Sequence, residues 1–386
     1  MSEISDMIQR LCPDGVEYRK LGEVCSVVSA PKKIDKGDYQ SSGMIPIVDQ
    51  GKKLVIGYTN DCYATVPKGC YVIFGDHTRE IKYVDFDFAQ GADGVKILKA
   101  NNHVDIRYLF HAMTNLTIPS RGYNRHWTIA RDLEIPVPPL EVQRKIVEVL
   151  DNFSELTAEL TAELEARKKQ YEYYRDNLLN FSQIAPNSVK WMKISEVFEI
   201  RNGYTPSKAK AEFWESGTIP WFRMEDIRQN GRILSDSILH ITSEGVKGKG
   251  LFKANSFILA TTATIGEHAL IIADSLANQR FTNLKICKSL EKELTIKYVF
   301  YYLFVVDEWC KANTNVSGFA SVDMAKFKNL LFPIPPLSEQ ERIVSILDRF
   351  ESLTTDLTSG LPAEIKARQQ QYEYYRDQLL TFKRAN

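Results

Sequence analysis

One stretch of this chain occurs twice. From Pro136 it reads PVPPLEVQRKIVEVLDNF and resumes as QYEYYRDNLLNF, ending at Phe181; from Pro333 it reads PIPPLSEQERIVSILDRF and resumes as QYEYYRDQLLTF, ending at Phe382. Pro333 lies 197 positions after Pro136, whereas Tyr372 lies 201 after Tyr171, so the second copy holds four extra residues between Phe350 and Tyr372. Seven identical residues in a row are not a chance recurrence in 386, and an internal repeat constrains architecture before any local pattern is read.

Each copy predicts a long helix with a marked start. Proline fixes φ and pushes its predecessor into extended geometry, so the Pro-x-Pro-Pro lead-ins are not helical and the helices begin near Leu140 and Leu337. In the first copy Ile146, Leu150, Phe153, Leu160, Leu164, Tyr171, Tyr174, Leu178 and Phe181 recur at steps of three, four and seven. Ile343, Leu347, Phe350, Leu357, Leu361, Tyr372, Tyr375, Leu379 and Phe382 do the same in the second, apart from one step of eleven between Leu361 and Tyr372. A single stripe of this kind packs into a core by default, but two matching stripes make each the other's natural partner in an antiparallel coiled coil. Some 40 residues at ~1.5 Å each make a rod about 60 Å long. Gly360 and Pro362 predict a bend in the second helix. A tandem Thr-Ala-Glu-Leu up to Leu164 reads as a spacer unit, since four residues add roughly 6 Å and a little over 360°.

Between the helices the sequence alternates with two globular segments. The expected segments are 1–135, the helix 136–181, a linker 182–190, a second globular segment 191–332, and the C-terminal helix 333–386. A short helix is expected over 3–11. Strands are expected at Ile45–Val48, Leu54–Tyr58, Cys70–Phe74 and Val95–Leu98, and a helix at Arg107–Thr114. The second globular segment parallels the first by element: Ile219-Pro220-Trp221-Phe222 stands for Ile45–Val48, and Ser256–Leu259 for Cys70–Ile73. The fold class is therefore α+β, with two mixed domains, two long helices and a pseudo-two-fold internal repeat.

At 44 % hydrophobic and 25 % charged residues the composition is that of an ordinary globular chain. The longest apolar run, Tyr298–Val306, is too short to span a bilayer, MSEISDMIQR does not read as a leader, and six cysteines without a C-x-x-C pair suggest reduced thiols in a cytoplasm. The zero net charge is unevenly spread. Lys and Arg against Asp and Glu number 16 against 13 over 15–133 and 19 against 15 over 186–330, but 6 against 9 over 141–180 and 5 against 8 over 338–377. A solvated mixed surface explains this modest segregation nearly as well as a polyanion partner does. Antiparallel helices would set unlike domains at opposite ends, facing one long object. Domains about 40–50 Å apart would straddle about a dozen base pairs of duplex DNA.

The duplicated PxPPLxxQxxIVxxLDxF helices with QYEYYRD ends, alternating with two dissimilar domains, resemble the specificity subunit of type I restriction-modification enzymes over essentially the whole chain. The resemblance implies two target recognition domains, each reading one half of a bipartite, asymmetric double-stranded DNA sequence at a separation fixed by the helices. It implies docking of two methyltransferase subunits and of restriction (translocase) subunits. S-adenosylmethionine, ATP and Mg are then expected on those partners and no cofactor on this chain.

Candidate DNA contacts are cations for phosphates and amides, hydroxyls and arginines for base edges. In the first domain they are Lys32, Lys33, Gln50, Lys52, Lys53, His77, Thr78, Arg79 and Gln90, and the run Arg121, Tyr123, Asn124, Arg125, His126 and Trp127. In the second they are Tyr204, Thr205, Lys208, Lys210, Arg223, Thr261, Thr262, Thr264, Gln279, Arg280 and Ser317. A solvated loop is the plain alternative for each. No phosphate-binding loop, zinc spacing or amino-methylation motif is found, and neither a catalytic nor a metal site is expected. The competing reading is a self-sufficient DNA nuclease or methyltransferase built on Asp76, Glu80 and Lys82.

Overall fold

A glutamine inside each repeat ties the helix it starts to the domain that precedes it. In the computed structural model, which describes residues 2–91, 93–181, 189–315, 320–355 and 360–385, the helices begin at Leu140 and Leu337. Three residues on, Gln143 and Gln340 are fully buried. The Gln143 amide donates to the carbonyls of His103 (2.9 Å) and Pro138 (2.7 Å), and its oxygen accepts from the Asp105 N–H at 2.8 Å. Gln340 does the same with Glu293 O (2.7 Å), Pro335 O (2.9 Å) and Thr295 N–H (2.9 Å). Buried backbone groups left out of helices and sheets need such partners.

Two compact units result, each described by itself. The first comprises residues 1–162 with 363–386, the second 163–362. The cut runs through both repeat helices, so each unit contains the beginning of one and the end of the other, the pairing expected of antiparallel helices. The first repeat helix is continuous over Leu140–Leu178. The second is two helices, Leu337–Thr355 and Leu361–Leu379, with the non-helical Gly360 just before the later one and Pro362 in its first turn, where a proline costs no hydrogen bond. Leu357 lies outside the described residues, as do 182–188 of the linker.

The first unit holds a four-stranded antiparallel sheet in the order Cys25–Val28, Val95–Ala100, Tyr71–Gly75, Ile81–Val84. The helix Ile106–Asn115 packs on one face of it. A second sheet sets Lys33–Ile34, Phe88–Gly91, Ile45–Val48 and Gly57–Thr59 side by side, with Ile45–Val48 parallel to Phe88–Gly91. The second unit repeats the plan. Its main sheet runs Phe198–Asn202, Phe281–Ile286, Ser256–Ala260, His268–Ile271, with Ile233–Leu234 added at the edge. The longer helix Ile296–Ala312 packs on it, and Ile219–Phe222 runs parallel to Leu276–Ala277. Of the expected strands only Leu54–Tyr58 is displaced: the strand is Gly57–Thr59, and Leu54 is exposed in a loop. Among the described residues no helix is long and apolar enough to cross a membrane.

The rest of the repeat packs the same way in both units. Phe153 stacks on Tyr375 (centroids 5.1 Å, 23°) in the first, and Phe350 on Tyr174 (5.4 Å, 27°) in the second. Leu150 and Leu347 are fully buried, while Tyr171, Tyr372, Leu178 and Leu379 pack against the cores. The aspartate of each Leu-Asp-x-Phe meets the domain helix. Asp151 accepts from Arg107 Nε (2.9 Å) and lies 2.8 Å from His111 Nε2, whose Nδ1 is 3.1 Å from the Tyr372 hydroxyl. Asp348 accepts from Lys297 Nζ (3.0 Å) and the Tyr301 hydroxyl (2.5 Å). Burial opposes ionisation of Asp151, but the bonds from His111 and Arg107 outweigh it and hold the carboxyl below its ordinary range.

Gln143→Ala strands three backbone partners, one buried and two partly buried, and a loss of about 2–3 kcal/mol is expected in urea unfolding, with a similar loss for Gln340→Ala. A carboxyl with a depressed folded pKa stabilises fully above its unfolded value of about 3.9, and that contribution disappears as pH falls through the lower folded value. Asp151→Asn should therefore be less stable than wild type at pH 7 and converge on it in strong acid, as read from unfolding midpoints across pH.

Candidate nucleic-acid interface

In the first unit four loops converge at one end of the sheets. They are the residues after Ile45–Val48, the turn between Tyr71–Gly75 and Ile81–Val84, Asp93 and Gly94 just before Val95–Ala100, and the loop leading to the short helix Trp127–Ala130. Gln50 binds three of these loops together. Its side-chain oxygen accepts from His77 N–H (3.1 Å), its amide donates to Asp93 O (3.2 Å), and its carbonyl accepts from the Thr78 hydroxyl (2.5 Å). The crowding explains Gly94: at φ +89°, a Cβ there would lie 2.6 Å from the His77 ring and 2.7 Å from Gln50 Oε1.

The fourth loop is fixed by Asp76 and His126, both buried. A carbonyl only accepts, so His126 Nδ1, 2.9 Å from Asp76 O, carries the proton, and Nε2 accepts from Arg121 N–H at 3.1 Å. The Asp76 carboxylate accepts from Trp127 N–H at 2.7 Å. On this base Arg121, Tyr123, Asn124 and Arg125 are exposed, Gly122 turns the loop at φ +67°, and Asn124 bonds back to Arg121 O. Tyr123 is 83 % exposed as a whole and stacks on His77 through one ring face (4.6 Å, 10°). Lys33 lies 2.5 Å from the Asp93 carboxylate, whose pKa is lowered first by that bond and then by the charges of Lys33, Arg125 and His77. The structure thus gathers Lys33, Gln50, His77, Thr78, Tyr123 and Arg125 into one polar, aromatic tip. Lys52 and Lys53 are exposed, and Lys32 stands apart, paired with Asp61 at 2.6 Å.

The second unit builds its tip from the same sheet ends. Gly203 is pressed against its neighbours: a Cβ would sit 2.2 Å from Asn278 O. Thr205 bonds to Gln279, the Thr282 hydroxyl donates to Asn202 Oδ1 (3.2 Å), and Ala263, at φ +68°, donates to Ala320 O (3.1 Å). Gln279 and Arg280 are exposed beside half-buried Thr262 and Thr264. Lys208 and Lys210 are exposed, with Lys210 paired to Glu212 at 3.2 Å.

Several expectations need correction. Gln90, His126 and Thr261 are 5 %, 1 % and 6 % exposed, so they support the tips from within and do not reach a groove. Gln90 is a strand residue, and the Thr261 hydroxyl pairs with that of Thr282 at 2.9 Å. Gln50 spends both ends of its amide on the protein. Arg79 donates to Ile118 O at 2.8 Å and fastens a loop. The Tyr204 hydroxyl is taken by Gly245 O (3.2 Å) and Lys247 N–H (2.6 Å). The Arg223 side chain, just before the helix Met224–Asn230, is 27 % exposed with its Nε 3.9 Å from the Glu225 carboxylate. Ser317 lies outside the described residues. The Asp76, Glu80, Lys82 constellation is structural where its polar atoms are accounted for: Asp76 as above, and Lys82 on the carbonyls of Asp49 (2.7 Å) and Lys53 (2.6 Å). Among the described residues no group of three His, Cys, Asp or Glu side chains is arranged to hold a metal.

A sequence model of the type I restriction modification DNA specificity domain matches residues 13–167 and again 186–367. The chain belongs to this family. The two matches fall on the two halves of the internal repeat, and the family is one of DNA-recognition subunits that are not themselves catalytic. Over 99 % of its length the specificity subunit is 37 % identical to that of the type I restriction enzyme EcoR124I/EcoR124II of Escherichia coli, covering 98 % of the latter. It is 55 % identical to the EcoprrI specificity subunit of Escherichia coli over half of each chain. The solved S subunit from M. genitalium shares the fold at a TM-score of 0.55 and 14 % identity, covering 95 % of this chain and 96 % of that one. The S subunit from Thermoanaerobacter tengcongensis does so at 0.50 and 19 %, covering 96 % and 97 %.

Removing the exposed face of the first tip with Tyr123→Ala is expected to weaken binding to the chain's own DNA target by about 1–3 kcal/mol, the range for losing one good contact to a base edge, without moving the melting temperature. His126→Ala should instead lower both, because it releases the loop; gel-shift titration beside thermal unfolding separates the two.

Proposed function

We propose that this specificity subunit reads a bipartite, asymmetric DNA target, one half with each tip, and that the repeat helices set the distance between the halves. What carries the reading is the contrast within the repeat: the two units share sheet order and packing, while their tips present different side chains. The first offers Tyr123 and Arg125 over His77, the second Gln279 and Arg280 beside threonines. Like scaffolds with unlike contact sets suit two different words on one duplex.

The same helices would dock two methyltransferase subunits, with restriction subunits joining them. S-adenosylmethionine, ATP and Mg would be bound by those partners, in the cytoplasm. One observation favours such docking. Packing explains why Tyr171 and Tyr174 recur as Tyr372 and Tyr375, but not why Glu172, Tyr173 and Asp176 recur as Glu373, Tyr374 and Asp377, all exposed. An outward face kept identical in both copies suits a partner met twice, and Tyr173 and Tyr374 are large apolar groups at its centre.

Methylome sequencing of cells with and without this gene tests the whole reading, the expected result being one modified two-part motif lost with the gene. Deleting Thr161–Leu164 should shorten the unread gap in that motif by at least one base pair, because the ~6 Å of helix removed exceeds one step of ~3.4 Å. An unchanged gap would refute the spacer role. Arg125→Ala and Arg280→Ala should each relax one half of the motif, at ~1–3 kcal/mol, and leave the other intact.

A further inference from the structure

We infer that Lys82 is a positioning residue for target reading by the first unit: its buried ammonium holds the Asp49–Lys53 loop, and through Gln50 the tip as a whole, in register with the DNA. The inference rests on the DNA-reading role proposed above. Lys82 lies on the strand Ile81–Val84 and is 7 % exposed. Burying an ammonium is costly unless it is fully bonded. Here Nζ donates to Asp49 O at 2.7 Å and Lys53 O at 2.6 Å and faces the Asp49 carboxylate at 3.6 Å. The two carbonyls stand at the start and the end of one loop, so a single side chain closes it. The same Asp49 carboxylate accepts from Gly51 N–H at 2.7 Å inside the turn. The other charged group bearing on Lys82 is Glu80, on the adjoining turn.

The loop is also the link to the rest of the tip. Gln50 sits within it, and all of its polar groups but the N–H are bonded to His77, Thr78 and Asp93. His77 is in turn the base on which Tyr123 stacks. A chain of direct contacts therefore runs from Lys82 to the most exposed aromatic of the site. The second unit has another device at the equivalent place. After Ile219–Phe222 the chain turns into the helix Met224–Asn230, and the buried Asp226 carboxylate accepts from Arg223 N–H (2.7 Å) and Ile238 N–H (2.6 Å). A change at Lys82 should thus act on one half of the target only.

The test uses the full chain expressed with its partner subunits, as wild type, Lys82→Met and Lys82→Arg, with motif mapping by methylome sequencing and thermal unfolding of each purified complex. Lys82→Met should accept wrong bases in one half of the motif about tenfold more often, keep the other half and the gap, and unfold cooperatively; Lys82→Arg should restore discrimination. Wild-type discrimination by Lys82→Met in both halves would overturn the assignment. Equal relaxation of both halves would do the same, by making Lys82 a general stability residue. A wild-type complex that modifies no two-part motif would remove the underlying reading, whatever the variants do.

Discussion

The structure depends on how a long helix is joined to a domain without freedom at the junction. A Pro-Pro lead-in provides no N–H groups of its own and leaves carbonyls facing inward, so a flexible joint would be the default outcome. The amides of Gln143 and Gln340 remove that freedom by bonding the lead-in, the loop before the domain helix and the N–H of that helix's N-cap residue, Asp105 or Thr295, at once. Tyr108 and Tyr298 reinforce them, their buried hydroxyls donating to Pro136 O at 2.9 Å and Pro333 O at 3.0 Å. A domain held this way turns with its helix. Any function that needs a tip at a defined angle to a rod starts from this joint.

The second contact, at Asp151 and Asp348, shows how much chemistry the duplicated plan tolerates. Both aspartates bond a cation and a second group one turn along the domain helix, but that group is His111 in one unit and Tyr301 in the other. Burial and the neighbouring Asp348 and Glu351 carboxylates push the Tyr301 hydroxyl far up, so that hydroxyl stays protonated and goes on donating in the physiological range. The geometry of the joint is kept while its partners drift. At the tips nothing comparable holds the side chains to a pattern.

That contrast decides what the sequence could reveal. The helix starts at Leu140 and Leu337, the break near Gly360 and the strand Ile45–Val48 were legible, because proline, glycine and alternating apolar residues act locally. Gln143 stands in plain sight within PxPPLxxQ, yet its role depends on carbonyls up to 40 residues away, and no periodicity signals it. The tip was legible as a list and not as a map. Arg121–Trp127 was recognisable as a basic, aromatic run, but only the fold shows that His126 faces inward while Tyr123 faces out. Gln90 misleads for a related reason: a polar residue in a strand buried on both faces looks the same in sequence as one in a loop. Lys82 reads locally as a nuclease lysine, and becomes a loop staple only when Asp49 and Lys53 are brought across the sheet.

In the proposed function the electrostatics of the tips would favour reading over clamping. Lys32 and Lys33, the plainest phosphate ligands in the sequence, are each paired with an aspartate, half-buried Asp61 and exposed Asp93, and Lys210 with Glu212. Exposed pairs of this kind are worth about 0–1 kcal/mol, so a phosphate can take over the lysine at little cost. Until it does, the cations are screened and non-specific attraction to DNA is reduced. Arg125 sits near the same Asp93 charge, and the exposed Tyr123 carries none. Binding strength would then come chiefly from close contact with base edges, where a wrong sequence is penalised, and less from a long-range field that treats all sequences alike. A chain with equal numbers of cationic and anionic side chains can in this way belong to a DNA-reading family: selectivity is concentrated in a few exposed groups, and their rigid placement supplies what net charge does not.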